Sequence, residues 1–236
     1  MAAVAKHLES LQETLGLRVR RVLGMGAEAL LVEGELSGMR VVAKFRVPKE
    51  YRDPTLDARL RKQRTALEAK LLCSAAEVGV NVPDVIYVDP DAGVLILSYV
   101  EGTRVKELIE ARGESAAWAI RVAGLMAGVL HEAGIVHGDL TTSNMICAGR
   151  KVYFIDFGLG FFSNRVEDAG VDVHLFRRAL ESTHPSLAAK LYSEFAEGYS
   201  EARGKASAES VLRKVEEIRL RGRYVSQRRL RAFWQG

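Results

Sequence analysis

The chain has 236 residues, 48% apolar and 27% charged, with a formal net charge of +4, enough for one two-lobed domain or two small ones, with a sizeable core. No run of about 18 apolar, uncharged residues occurs, so no transmembrane helix is expected, and the opening MAAVAKHLESLQETLG lacks the basic-then-apolar order of a secretory signal. Cys73 and Cys147 are too few and too far apart for a disulfide framework or a metal clip, which points to a reduced, cytoplasmic protein.

Residues 19–45 read as strands, with apolar and β-branched residues interrupted by turn signals at Gly24, Gly26, Gly34 and Ser37-Gly38. Gly24-Met25-Gly26 lies between two strand-like runs. It is either an ordinary hairpin or a loop whose backbone N–H groups approach phosphates with no Cβ in the way. Lys44 falls inside the apolar strand Val42-Ala43-Lys44. A lysine buried in a strand is costly unless paired, so it is either solvent-facing or a phosphate clamp oriented by a helix carboxylate. On the following helix Leu67, Leu71 and Leu72 have helical spacing, and Glu68 sits beside that stripe. Glu68 is the expected partner, and Glu77, nearer the helix end before Gly79, competes with it. The intervening segment carries Lys49, Arg52, Arg59, Arg61, Lys62 and Arg64. It reads equally as a solvated helix face and as a docking site for nucleic acid or an acidic partner.

Val94–Ser98 reads as a buried strand leaving into a turn at Gly102, which sets a lobe boundary at about 98–102. Residues 115–133 form a strongly apolar core helix ending at Gly134, and His131 on it is structural.

The densest chemistry lies in residues 137–158, HGDLTTSNMICAGRKVYFIDFG. Asp139 is followed five positions later by Asn144, and twelve residues on comes Asp156-Phe157-Gly158 after an apolar run. This is the layout of a protein-kinase catalytic loop and its metal-binding turn. Phosphoryl transfer needs an oxygen acceptor to orient a hydroxyl or water, a role suited to Asp139. It also needs hard oxygen ligands for Mg²⁺, suited to Asn144 and Asp156. Backbone groups near Ser98 and Val100 then become the adenine-binding hinge. His137 packs the catalytic loop, and Asp172 braces it.

Two expected kinase features are absent. Position 138 is Gly where regulated kinases carry an Arg, and a helix begins within about ten residues of Gly158 with no Ala-Pro-Glu segment. Both absences predict a site without an activation-loop switch. The chain ends in eight basic residues against two acidic ones over 213–236. Tyr224, Phe233 and Trp234 are interleaved, a composition suited to nucleic-acid contact and also to a solvated tail or one folded back on the lobe.

The strings YRDPTLDARLRKQRTALEAKLL (51–72), HGDLTTSN (137–144), FIDFGLG (154–160), VEDAGVDVHLFRRALESTHP (166–185) and RLRGR (219–223) resemble one family: the small atypical, piD-type Ser/Thr kinase/ATPase of the KEOPS tRNA-modification complex. Ala169-Gly170 departs from its pattern locally. The resemblance implies an α+β, minimal bilobal protein-kinase-like fold with a β-rich N-lobe (1–98), a hinge (98–102) and a mainly helical, short C-lobe (103–236) without an activation loop. It implies ATP and Mg²⁺ as cofactors, Lys44 and Glu68 as the ion pair, and Asp139 as catalytic acceptor. Asn144 and Asp156 become the metal ligands, and Gly24, Met25, Gly26, Ala27, Glu28 and Ala29 the phosphate cover. As partners it implies the KEOPS carbamoyl-transferase subunit through the C-lobe, a small regulatory KEOPS subunit through the N-lobe, and tRNA through Arg219, Arg221, Arg223, Arg228, Arg229 and Arg231. A RIO-like protein kinase acting on a protein or ribosome and a catalytically silent nucleotide-binding scaffold are the alternatives. The complete Lys44, Asp139, Asn144, Asp156 set counts against the scaffold.

Overall fold

The computed structural model describes residues 13, 15–26 and 28–233, with side chains as far as residue 221. The chain forms two compact units. The first comprises residues 1–77, 82–101 and 156–159, and the second residues 78–81, 102–155 and 160–236.

The first unit is a five-stranded antiparallel sheet with one long helix. Its elements are β1 (Arg18–Met25), β2 (Ala29–Leu36), β3 (Met39–Arg46), α1 (Pro54–Glu77), β4 (Val85–Asp89) and β5 (Val94–Ser98), with strand order β1-β2-β3-β5-β4. The β2–β3 hairpin closes at Leu36↔Met39 across Ser37 and Gly38, at φ 50° and 81°. Two successive positive φ values are what a tight hairpin turn matched to strand twist requires. The period of two in β3 sorts its side chains. Val41, Ala43 and Phe45 join Leu30, Val32, Val94 and Ile96 in the core, while Lys44 and Arg46 share the other face.

Helix α1 begins thirteen residues before the leucine stripe that announces it. Pro54 takes the first position, and Asp53 Oδ1 accepts from the N–H groups of Thr55 and Leu56 at 3.0 and 2.9 Å, a standard N-terminal cap. Part of the basic segment is therefore helical. Beyond the helix end Gly79 adopts φ 84°, the left-handed conformation glycine supplies there.

The second unit is mainly helical: β6 (Thr103–Arg104), α2 (Val105–Arg112), α3 (Ala117–Glu132), β7 (Ile135–Val136), β8 (Met145–Ala148), β9 (Lys151–Phe154), β10 (Phe161–Phe162), α4 (Val166–Thr183), α5 (Ala188–Arg203) and α6 (Lys205–Phe233). Helices α3 and α5 touch backbone to backbone. A Cβ on Gly124 would lie 2.0 Å from the Phe195 carbonyl oxygen, and one on Gly198 2.0 Å from that of Arg121. Ile120, Leu130, Leu191, Phe195 and Tyr199 are fully buried around this contact. Phe176 stacks on Phe195 at 4.2 Å between ring centroids. Helix α4 starts at Val166, so no long segment separates it from Gly158. The basic C-terminal stretch lies on α6, a regular helix to Phe233 and not a tail.

Candidate active site

In the first unit, β3 delivers Lys44 to a carboxylate pair. Lys44 is 7% exposed, and its Nζ lies 2.7 Å from Glu68 Oε1 of α1 and 2.7 Å from Asp156 Oδ1. Burial alone would push the Lys44 ammonium down, but Glu68 and Asp156 outweigh it and hold it above its ordinary value. Glu77 is exposed at the end of α1 and takes no part. Asp156 sits at φ 61°, a conformation that Asp tolerates better than most residues because its short side chain bonds locally. Here Asp156 Oδ1 accepts from the Gly158 N–H at 3.1 Å. A Cβ on Gly158 would come within 2.9 Å of Asp156 Oδ1 and 3.2 Å of Lys44 Nζ, so a larger residue there would have to displace the side-chain ends of this ion pair.

The glycine turn of the first unit closes through the Gly26 N–H donating to the Ala29 carbonyl at 2.9 Å. Gly24 and Met25 end β1. Ala29 opens β2 and is buried. Ala27 lies outside the described residues. At the hinge, the Ser98 N–H donates to the Asp84 carbonyl at 2.9 Å, and Ser98 Oγ accepts from the Asp84 N–H at 2.8 Å. The N–H and hydroxyl of Ser98 are thus taken up at the strand edge. Val100 has no such sheet bond.

In the second unit, the catalytic loop hangs on Asp172 of α4. Asp172 Oδ2 accepts from the His137 N–H at 2.8 Å and Oδ1 from the Gly138 N–H at 3.0 Å. Burial would push the Asp172 carboxyl up, but His131 and His137 beside it prevail and hold it below the usual range. Gly138 adopts φ 80°, which gives a backbone reason for glycine where regulated kinases carry arginine. His137 Nδ1 accepts from the Asp139 N–H at 3.3 Å, and its Nε2 donates to the Ile155 carbonyl at 3.1 Å. His131 bonds Asp172 Oδ2 at 3.2 Å and Tyr199 Oη at 2.8 Å. Asn144 Nδ2 reaches Asp139 twice, at the carboxylate (2.8 Å) and the main-chain oxygen (3.0 Å). Both targets are acceptors, so the amide nitrogen must face them and the amide oxygen must point away.

Arg46 is the residue that motif reading misses. It is 5% exposed, and its Nη2 lies 2.6 Å from Glu68 Oε2. Its position two residues after Lys44 on the same strand face is the available signal. Within the basic segment, three arginines carry acidic partners. Asp57, 3% exposed, takes Arg61 at 2.8 Å and Arg52 at 3.6 Å, and Arg64 pairs with Glu28. On α6, Arg219 is held by Glu216 at 2.8 Å and Arg221 by Glu167 at 3.0 Å. The side chains of Arg223, Arg228, Arg229 and Arg231 lie outside the described residues. No helix among the described residues is long and apolar enough to cross a membrane.

Residues 40–160 match the RIO domain. The KEOPS complex subunit Bud32 of Pyrococcus abyssi is 46% identical over 211 residues, covering 86% of this chain and 96% of that protein. A probable serine/threonine-protein kinase BUD32 homolog of Archaeoglobus fulgidus is 38% identical over 205 residues, covering 87% of this chain and 96% of that protein. A probable bifunctional tRNA threonylcarbamoyladenosine biosynthesis protein of Methanothermobacter thermautotrophicus is 43% identical over 203 residues, but the chain spans only 36% of its length. Among solved structures, the Rio2 kinase of Chaetomium thermophilum in its ADP/Mg²⁺-phosphoaspartate complex has a TM-score of 0.61 at 16% identity, covering 89% of this chain and 74% of that one. That likeness carries the kinase fold. With the RIO domain matched across half the chain and near-full-length relatives at these identities, the chain belongs to the Bud32 family of RIO-domain proteins.

Proposed function

We propose that this chain is a Mg²⁺- and ATP-dependent kinase/ATPase that supports threonylcarbamoyl-adenosine modification of tRNA within a KEOPS complex, with Ser/Thr phosphotransferase activity in isolation. The observation that carries the reading is Lys44, buried and bonded at 2.7 Å to both Glu68 and Asp156. A lysine so buried needs more than one partner to offset its desolvation. Asp156, 47% exposed at the side chain, is the partner able to turn toward a metal.

The residues fit the cofactors. Gly24 has neither a positive φ nor, among the described residues, a neighbour that its Cβ would strike, and it lies at an irregularity of the β1–β2 register, which leaves room for an outside group to approach. Asn144 spends its nitrogen on Asp139 and keeps its oxygen for a hard cation. Bound Mg²⁺ would neutralise charge on the β- and γ-phosphates. Asn144 and Asp156 would hold it, and Lys44 would offer its ammonium to the α- and β-phosphate oxygens. Gly24, Met25, Gly26, Ala27 and Glu28 would lie over the phosphates, and the Val100 backbone would meet adenine. Asp139 would accept a hydrogen bond from the attacking hydroxyl or water and orient it. In this reading the two units are the lobes of a single kinase domain.

The relatives named for KEOPS and for threonylcarbamoyladenosine biosynthesis support the tRNA role over a ribosome-directed one. The carbamoyl-transferase subunit is assigned to the second unit, the small regulatory subunit to the first, tRNA to the arginines beyond residue 222, and the whole to the cytoplasm. Calorimetric titration of ATP with and without Mg²⁺ tests the cofactor reading. Tight binding that requires Mg²⁺, and that Asp156→Ala abolishes, is expected. Equal binding by parent and variant would contradict it.

A further inference from the structure

Glu68 is shared between two buried cations. Lys44 Nζ takes Oε1 at 2.7 Å, and Arg46 Nη2 takes Oε2 at 2.6 Å. The side chains of Lys44, Arg46 and Glu68 are 8%, 4% and 1% exposed, so water screens them little. Arg46 Nη1 also lies 3.5 Å from Glu28 Oε2, but Glu28 already has Arg64 as a direct partner. The buried trio of Lys44, Arg46 and Glu68 therefore carries a net charge of +1. In this structure Asp156 cancels it through Lys44.

A lysine paired one-to-one with a glutamate is a neutral pair and attracts a phosphate only through its dipole. Here the second cation changes the count. Once Asp156 turns to a metal, the trio keeps its positive charge, and Lys44 is the member with a freed bonding position. We propose that Arg46 is a positioning residue for phosphate binding: by holding one oxygen of Glu68 it leaves Lys44 a full positive charge to give to a nucleotide phosphate. The inference rests on the reading that Lys44 meets phosphate. The plainer role for Arg46, bracing α1 against β3, accounts for the bond to Glu68 but predicts no dependence of affinity on charge count.

The two roles separate when charge is counted variant by variant. Arg46→Met leaves Lys44 and Glu68 as a neutral pair. Arg46→Lys keeps the charge. The double variant Arg46→Met with Glu68→Gln removes one charge of each sign and restores +1, and replacing both partners by uncharged groups of similar volume is often tolerated. Mg²⁺-ATP is titrated calorimetrically into each, with thermal unfolding run alongside. A unit charge a few ångström from a phosphate in a partly buried site is worth about tenfold or more in affinity. Arg46→Met should therefore bind ATP about tenfold more weakly than the parent, and Arg46→Lys within about threefold of it. The double variant should regain most of the loss even though its turnover is poor. With Mg²⁺ present, the KM for ATP of Arg46→Met should rise more than its kcat falls. Arg46→Met binding within twofold of the parent would overturn the proposal, as would a double variant no tighter than Arg46→Met. Should Arg46→Met fail to fold, the double variant's affinity against the parent decides alone. A parent that binds no Mg²⁺-ATP overturns the functional reading itself, a result distinct from either.

Discussion

Asn144 donates its amide hydrogens to both the carboxylate and the main-chain oxygen of Asp139, at 2.8 and 3.0 Å. One residue thereby holds the Asp139 carboxylate in place, and in the proposed reading its own amide oxygen, which faces away from Asp139, is left for the cation. Asn144→Asp removes the donor and sets two carboxylates against each other. Turnover of Mg²⁺-ATP should fall by about 100-fold, the scale of losing a preorganised electrostatic contact. A steady-state phosphate-release assay checks it, and unchanged turnover would sink the role of this pair.

Stability should be highest on a plateau to which His184, Asp172 and Lys44 contribute, with His174, also depressed by burial, adding to the acid side. Burial pushes the His184 imidazole below its ordinary value, and Nε2 of this residue is buried without a hydrogen-bond partner among the described residues. Its folded pKa is depressed, so its contribution is full above the ordinary histidine value of about 6.5 and declines as pH falls below it. Asp172, also depressed, adds a further loss in acid as pH falls below the ordinary carboxylate range. Lys44 is raised, so its contribution holds through neutral pH and is lost as pH climbs beyond the ordinary lysine range. Chemical denaturation between pH 5 and 7 should show stability rising with pH, and His184→Gln should flatten that rise. An unaltered slope in the variant would assign it to other groups.

The α3–α5 contact predicts a large effect from one methyl group. A Cβ at Gly198 would stand 2.0 Å from a main-chain oxygen of Arg121, and backbone cannot swing aside as a side chain does. Gly198→Ala gains about 1 kcal/mol of helix propensity but forces the helices apart. Overpacking costs about 1–3 kcal/mol, and with a backbone atom in the way the net effect should be a clear loss, seen as a lower denaturant midpoint. A neutral or stabilising Gly198→Ala would mean the helices are not this close.

Much of the site is legible in the chain, and the residues show why. The spacing of Asp139, Asn144 and Asp156 is set by chemistry that tolerates few residue types. Glu68 follows from helical periodicity. Arg46 escapes motif reading because a buried arginine looks like a surface one until its strand face is known. At Ser98 a strand end is visible in the sequence, but not which neighbour takes its N–H. Helix α6 reads as a tail because charge density masks a period carried by buried Ala208, Val211 and Val215. Gly138 reads as a missing arginine, whereas its φ of 80° demands glycine.

The arginines of α6 divide into two groups. Arg219 and Arg221 are held by Glu216 and Glu167 and have less charge to lend. If the distal arginines bind tRNA, replacing Arg228, Arg229 and Arg231 by Ala should weaken tRNA binding and reduce its salt slope by about 0.7–0.9 for each phosphate no longer neutralised. ATP affinity should stay the same, because the phosphate-binding residues lie on other elements. Filter binding across a salt series measures the slope. If it does not change, the basic stretch at 49–64 becomes the candidate.

The central claim is that Mg²⁺-ATP chemistry at this site supports tRNA modification. Its most direct measurement is threonylcarbamoyl-adenosine formation on tRNA in a reconstituted mixture containing the carbamoyl-transferase subunit, with parent protein compared against Asp156→Ala. The account predicts product with the parent and near-complete loss with Asp156→Ala, while the variant's thermal stability stays close to the parent's. Equal product from both proteins would contradict it.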